Sequence, residues 1–209
     1  CPPKSRAKAR RRHGGKASGM EFRKDINGLR AVAVLLVLLY HFGMPQFGAG
    51  FIGVDVFFVI SGFLMTRIIF GALDEGRFSL TGFYKARLAR LYPALLATVS
   101  ATLVLGVLFV EPVALAAMAR DGIATLAFVS NVLFWQQSGY FAASAQEMWF
   151  LHSWSLSVEW QFYLVYPLVL TASAPFLRST GARTALLGAG IAASLGVAVA
   201  AGSLAPSEK

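Results

Sequence analysis

Long apolar stretches, interrupted by short polar or Gly/Pro-rich segments, recur along most of the chain. Windows near 27–43, 51–71, 92–110, 122–135, 155–175 and 184–204 each approach the about 20 residues that cross a hydrocarbon layer. The 122–135 window is the weakest and needs Ala116–Ala119 to extend it. The pattern predicts an all-α fold, a polytopic transmembrane helix bundle of five or six spans. Punctuation sets the boundaries. MPQFGAG separates the first two helices, and Pro93 is placed to open the third near its first turn. Glu111-Pro112 marks the next break. Polar QQSGYFAASAQE precedes an aromatic-rich fifth helix, and a Gly/Ala-rich sixth follows.

Composition supports this reading. Of 209 residues, 56% are hydrophobic and only 14% charged, against about 25% charged in soluble domains. The formal charge of +9 is concentrated in KSRAKARRRHGGK near the start. A basic flank before a first span holds that end in the cytoplasm, so nucleic acid is not an expected partner. Residues 1–19 read as a basic N-terminal extension upstream of a natural start at Met20. Arg77, Lys85, Arg87 and Arg90 then mark the segment after the second span as cytoplasmic. Strict alternation of six spans conflicts with Arg178 and Arg183, which would fall outside. Either 112–135 does not cross fully, or the charge bias fails locally. Cys1 stands alone, which excludes an internal disulfide framework, and His13, His41 and His152 are too scattered to read as a metal site.

Polar residues inside apolar windows are the candidate chemistry, because an ionisable group in hydrocarbon is costly and usually functional. Arg30 and His41 bracket AVAVLLVLLY. At 100° per residue their separation is three turns plus about 20°, so they share a helix face about 16 Å apart. Asp55 lies in the second window, where a carboxylate near a helix entrance is either solvated or functional. His152, Ser155, Glu159, Tyr163 and Tyr166 recur at steps of three and four and form one stripe. Hydrogen bonding between helices accounts for Ser155, Tyr163 and Tyr166, whereas Glu159 and His41 read as functional. Arg87 and Arg90 share a face whose guanidinium forks suit phosphate. No phosphate-cradling Gly loop and no GxSxG turn is present. An intramembrane histidine with acidic residues suits proton abstraction from a hydroxyl. A proton-coupled transporter uses the same residue types, but predicts two related halves with broken helices, and no such repeat is visible.

Four segments, in order, carry a specific resemblance. Met20–Leu170 resembles the acyltransferase-3 family of bacterial integral-membrane O-acyltransferases, which acetylate O-antigen and other envelope glycans. FRKDINGLRAVAVLLVLLYHF is similar to its first helix and GAGFIGVDVFFVISGFLMT to its second. FYKARLARLYPAL resembles its Arg-x-x-Arg-x-x-Pro segment, and HSWSLSVEWQFYLVYPL its Trp-Ser-Leu-x-Val-Glu helix. Trp160 departs from the second glutamate of many members. Such proteins have roughly ten spans, so 20–209 resembles the N-terminal part of a larger transmembrane domain.

The resemblance implies acyl transfer from cytoplasmic acyl-CoA, chiefly acetyl-CoA, to a hydroxyl of an envelope polysaccharide, lipopolysaccharide or other glycan. The enzyme would be multi-pass in the bacterial inner membrane, with acyl-CoA as donor co-substrate and no bound cofactor. His41, Glu159 and Asp55 are the expected catalytic residues, His41 acting as general base or carrying the acyl group transiently, with either carboxylate orienting the imidazole. Arg30, Arg87 and Arg90 are the expected binding residues, supported by Trp154, Ser155, Gln161 and Tyr163.

Overall fold

A computed structural model describes residues 24–137, 148–177 and 179–204, and the regular structure among them is helical throughout. The helices are α1 Lys24–His41, α2 Ile52–Asp74, α3 Leu80–Phe109, α4 Pro112–Leu126, α5 Ser130–Gln137, α6 Ser153–Ser173 and α7 Thr180–Leu204, with short 3₁₀ turns at Pro45–Phe47 and Ala174–Phe176. The fold is all-α, as the hydrophobic pattern predicts. By length and composition, α2, α3 and α7 are long and apolar enough to cross a membrane. Val104, Leu108 and Phe109 on α3, and Ile191, Leu195 and Val199 on α7, are between 61% and 81% exposed. An apolar surface of this extent belongs in hydrocarbon rather than water. The protein is a multi-pass membrane protein. The proposed extension, residues 1–19, lies outside the described residues.

The chain forms two compact units, one through Phe57 and one from Phe58 onward. In the first unit, Gly50 and Gly53 lie against the α1 backbone at Leu36 and Ala33 so closely that a Cβ would collide with both carbonyls. Ala33, 1% exposed, completes this contact. Small residues are what let two helix backbones approach in a membrane.

In the second unit, α6 runs beside α2 in the same direction. Ser61 bonds Glu159, and Thr66 bonds Tyr166 at 2.6 Å, so numbers climb together on both helices. The α3 helix runs opposite to α6: Tyr84 O–H donates to the Leu164 carbonyl at 2.9 Å, while Tyr92 meets Phe128, which stacks on Trp160. The α2 C-terminus is tied to the start of α7 by a two-pronged Arg183–Asp74 ion pair, one bond being 2.8 Å. Thus α2 ends, α3 begins, α6 ends and α7 begins at one end of this unit. The opposite end holds the close of α3 and the start of α6.

Two expectations need correction. The third helix does not open at Pro93. It starts at Leu80, where the Ser79 hydroxyl accepts the Gly82 N–H at 3.2 Å, and Pro93 lies inside it. The Ser79 cap satisfies a first-turn donor that proline would only have left out, and Phe83, Leu91 and Leu95 continue one apolar face across the basic segment. The fourth window is not a span either. It divides into α4 and α5, 15 and 8 residues long, about 22 and 12 Å against about 30 Å of hydrocarbon. Phe128 breaks the helix with φ 56°. A left-handed non-glycine residue costs roughly 1–2 kcal/mol. Burial of its ring, 5% exposed and stacked 4.7 Å from Trp160, offsets that with roughly 1.5–3 kcal/mol. Because α4–α5 leaves and returns at the same end, the conflict over Arg183 disappears: it shares an end with Arg77 and Lys85. Arg178 lies outside the described residues.

Trp160 packs against both apolar clusters of the second unit. One contains Leu95, Val99, Met118, Phe128, Phe134 and Phe150, and the other Met65, Ile69, Phe83, Tyr163 and Leu170. Around the first cluster runs a chain of hydroxyls. Ser153 donates to Ser130 at 2.9 Å, so Thr125, 2.8 Å from Ser153, is the donor in its own pair, and Ser130 lies 2.7 Å from Ser157. Gln161 exchanges amide bonds with Asn131 at 3.1 and 2.9 Å and donates to the Phe128 carbonyl. These groups join α4, α5 and α6, and satisfying every buried polar atom makes the joint rigid.

Candidate active site

Helix α6 has two polar faces. Ser153, Ser157 and Gln161 follow one another every fourth position and hold α4 and α5. Two positions beyond Ser157, about 200° around the helix, Glu159 begins the second face, which continues through Tyr163 and Tyr166 toward α2. There the half-buried Glu159 carboxylate accepts hydrogen bonds at Oε1 from Ser61 of α2 and from Tyr163 one turn on. Among the described residues Oε2 accepts none. Tyr163 is 6% exposed. Taking a carboxylate out of water is expensive, and hydrogen bonds to a charged group return about 1.5–3 kcal/mol each.

Arg87 approaches the same place from α3. Its guanidinium lies 5.4 Å from the Phe83 ring centre and 5.9 Å from that of Tyr163. The Nε atom is buried and has no hydrogen-bond partner among the described residues. Tyr163 therefore meets a cation with its ring and a carboxylate with its hydroxyl. Arg90, three residues on, is exposed. The arginines expected to act as a matched pair occupy different environments, one half-buried over aromatic rings and one in the open. An apolar crevice of about 970 Å³ adjoins this face, lined by Gly62, Thr66, Tyr166, Leu170, Leu186 and Gly190 among others.

The remaining expected residues fall as follows. In the first unit, the His41 ring meets the Val37 carbonyl through Nδ1 at 2.7 Å. A carbonyl only accepts, so Nδ1 carries hydrogen and the neutral ring's lone pair is on Nε2. Tyr40 packs edge-on to His41 at 5.2 Å, and the Arg30 guanidinium lies 5.7 Å from the Phe57 ring. Asp55 is exposed in the first turn of α2. In the second unit, Trp154 packs edge-on to Phe58 at 6.4 Å. Ser155 donates to the His152 carbonyl at 3.2 Å, a local contact in the first turn of α6 rather than a bond to Glu159. Gln161 belongs to the opposite, structural face. Ser61 and Thr66 were not singled out in the sequence. Both are small hydroxyl residues in an apolar window, five positions apart, and only their α6 partners distinguish them.

The acyltransferase domain profile covers residues 23–206, which includes every helix carrying these groups. The chain belongs to the acyltransferase-3 family. Among its relatives, O-acetyltransferase OatA of Staphylococcus aureus is 40% identical over 148 residues, covering 70% of this chain and 24% of the relative. The putative membrane-bound transacylase BcsY of Komagataeibacter xylinus is 44% identical over 146 residues, 68% of this chain and 36% of that protein. The peptidoglycan O-acetyltransferase OatA of Listeria monocytogenes is 36% identical over 148 residues, with 70% and 24% coverage. The chain thus spans between about a quarter and a third of these acyltransferase-3 relatives. No solved structure matches it significantly.

Proposed function

We propose that the protein acts in a bacterial inner membrane as an O-acetyltransferase, moving acetyl from cytoplasmic acetyl-CoA to a hydroxyl of an envelope glycan. Family membership supports the reaction class. The observation that carries the reading is the Glu159 carboxylate, held by Ser61 and Tyr163 and faced by Arg87, inside apolar helices. A structural protein has no need of a half-buried acid and cation in one place. The gathering of Arg67, Arg77, Lys85 and Arg183 at one end of the second unit favours that end as cytoplasmic.

In this mechanism His41 is the general base. Nε2 takes the acceptor hydroxyl proton as its oxygen bonds to the thioester carbonyl carbon. The carbon–sulfur bond then breaks, and the thiolate takes up that proton to leave as coenzyme A. Glu159 receives an acceptor hydroxyl through its open oxygen. Arg90, and the unpartnered donor of Arg87, hold anionic oxygens of the donor. The acceptor class is a polysaccharide hydroxyl. The Listeria relative's name points to peptidoglycan, and lipopolysaccharide is the other acceptor to test.

The test is acyl-CoA-dependent labelling of peptidoglycan and of lipopolysaccharide by membranes containing the intact protein and [¹⁴C]acetyl-CoA. Transfer that disappears in Glu159→Gln supports the reading. Proton-coupled solute flux in proteoliposomes, with no acetyl transfer, overturns it in favour of a transporter.

A further inference from the structure

We infer that Ser61 is a positioning residue for Glu159: with Tyr163 it pins one carboxylate oxygen and so dictates that the other meets the acceptor. This rests on the acyl-transfer reading above. Neither hydroxyl proton is free to point elsewhere. A carboxylate oxygen only accepts, so Ser61 and Tyr163 must both donate to Oε1. Tyr163 also lies 3.4 Å from the Ser61 hydroxyl, which closes a three-group ring around that oxygen. Two donors at one oxygen leave a planar carboxyl group little freedom to rotate, and Oε2 is held in one direction with no protein partner among the described residues.

The α2–α6 pairing itself does not depend on Ser61. A second rung lies below it. Thr66 donates to the Gly62 carbonyl at 2.7 Å, so Tyr166 is the donor in the 2.6 Å Tyr166–Thr66 bond. Met65 and Ile69, 2% and 0% exposed, pack on the same side of α2 as part of the apolar cluster containing Tyr163 and Leu170. Removing the Ser61 hydroxyl therefore leaves helix packing in place and releases the carboxyl group. That separates a positioning role from a merely structural one.

The experiment uses the intact protein in membranes and measures kcat and donor KM for Ser61→Ala, Ser61→Thr and Glu159→Gln, with thermal stability of each after detergent extraction. Loss of one hydrogen bond to a charged group predicts a kcat about 10- to 100-fold lower in Ser61→Ala. Donor KM stays at its wild-type value, the variant remains folded at the assay temperature although the lost bond lowers its melting temperature, and Ser61→Thr, which restores a hydroxyl, recovers most of the rate. Wild-type kcat in Ser61→Ala overturns the inference, as does a raised donor KM or a loss of rate that Ser61→Thr does not recover. A [¹⁴C]acetyl group found on Ser61 by peptide mass spectrometry also overturns it, because the residue would then be an acyl carrier. If Glu159→Gln is inactive while Ser61→Ala is not, only the positioning role fails. If Glu159→Gln retains full activity, the acyl-transfer role of this site fails with it.

Discussion

Arg87→Lys keeps the charge and removes the plane. The guanidinium faces two rings, at 5.4 and 5.9 Å, and each cation–π contact contributes about 0.5–2 kcal/mol depending on desolvation. Together they hold the group in place with about 1–4 kcal/mol before any donor arrives. An ammonium is a more strongly hydrated point charge and suffers more from half-burial, and it cannot grip an anionic oxygen pair with a fork. Taking only the lower third of that range, about 1–2 kcal/mol, donor KM rises about 5- to 30-fold at about 1.4 kcal/mol per decade. Arg90→Lys, at an exposed position with no ring beneath it among the described residues, changes donor KM about threefold or less. The assay is initial-rate acetyl transfer in membranes across acetyl-CoA concentrations, with each variant's amount measured by immunoblot. An unchanged acetyl-CoA KM in Arg87→Lys refutes the reasoning. An effect of equal size in Arg90→Lys would show that charge, not stacking, carries the contact.

Other expected outcomes follow from the same geometry. His41→Ala abolishes acetyl transfer with normal membrane expression, and retained turnover would remove that ring from the mechanism. Asn131→Ala leaves the half-buried Gln161 amide short of a partner and lowers stability by about 0.5–1.5 kcal/mol. Asn131→Ala with Gln161→Leu costs less than the sum of the two single changes, as thermal unfolding in detergent would reveal. Trp160→Ala opens a cavity where both apolar clusters meet and removes the stack that holds Phe128. It costs about 3–5 kcal/mol, and a melting temperature within error of wild type would contradict that placement.

The linear pattern alone was sufficient for the helices and the membrane. Runs such as 51–71 and 184–204 have few polar groups, and in hydrocarbon a backbone must satisfy itself within a helix, so composition and length decide the class. Glu159 was also legible, because a carboxylate in an aromatic-rich window is anomalous wherever the helix packs. Ser61 was not. A serine in FFVISGF is unremarkable until α6 brings a carboxylate to it from 98 positions away in sequence. The same holds for the stripe on α6. Periodicity placed His152, Ser155, Glu159 and Tyr163 on one side, but neighbouring helices decided which of them meet α2. The break at Phe128 escaped the pattern altogether, since hydrophobicity is equally high in a crossing helix and in a turn whose ring is buried on Trp160. Local sequence carries propensity and polarity. Which polar atoms share a partner, and where a strained residue is tolerated, depends on contacts between distant segments, and only folding brings those together.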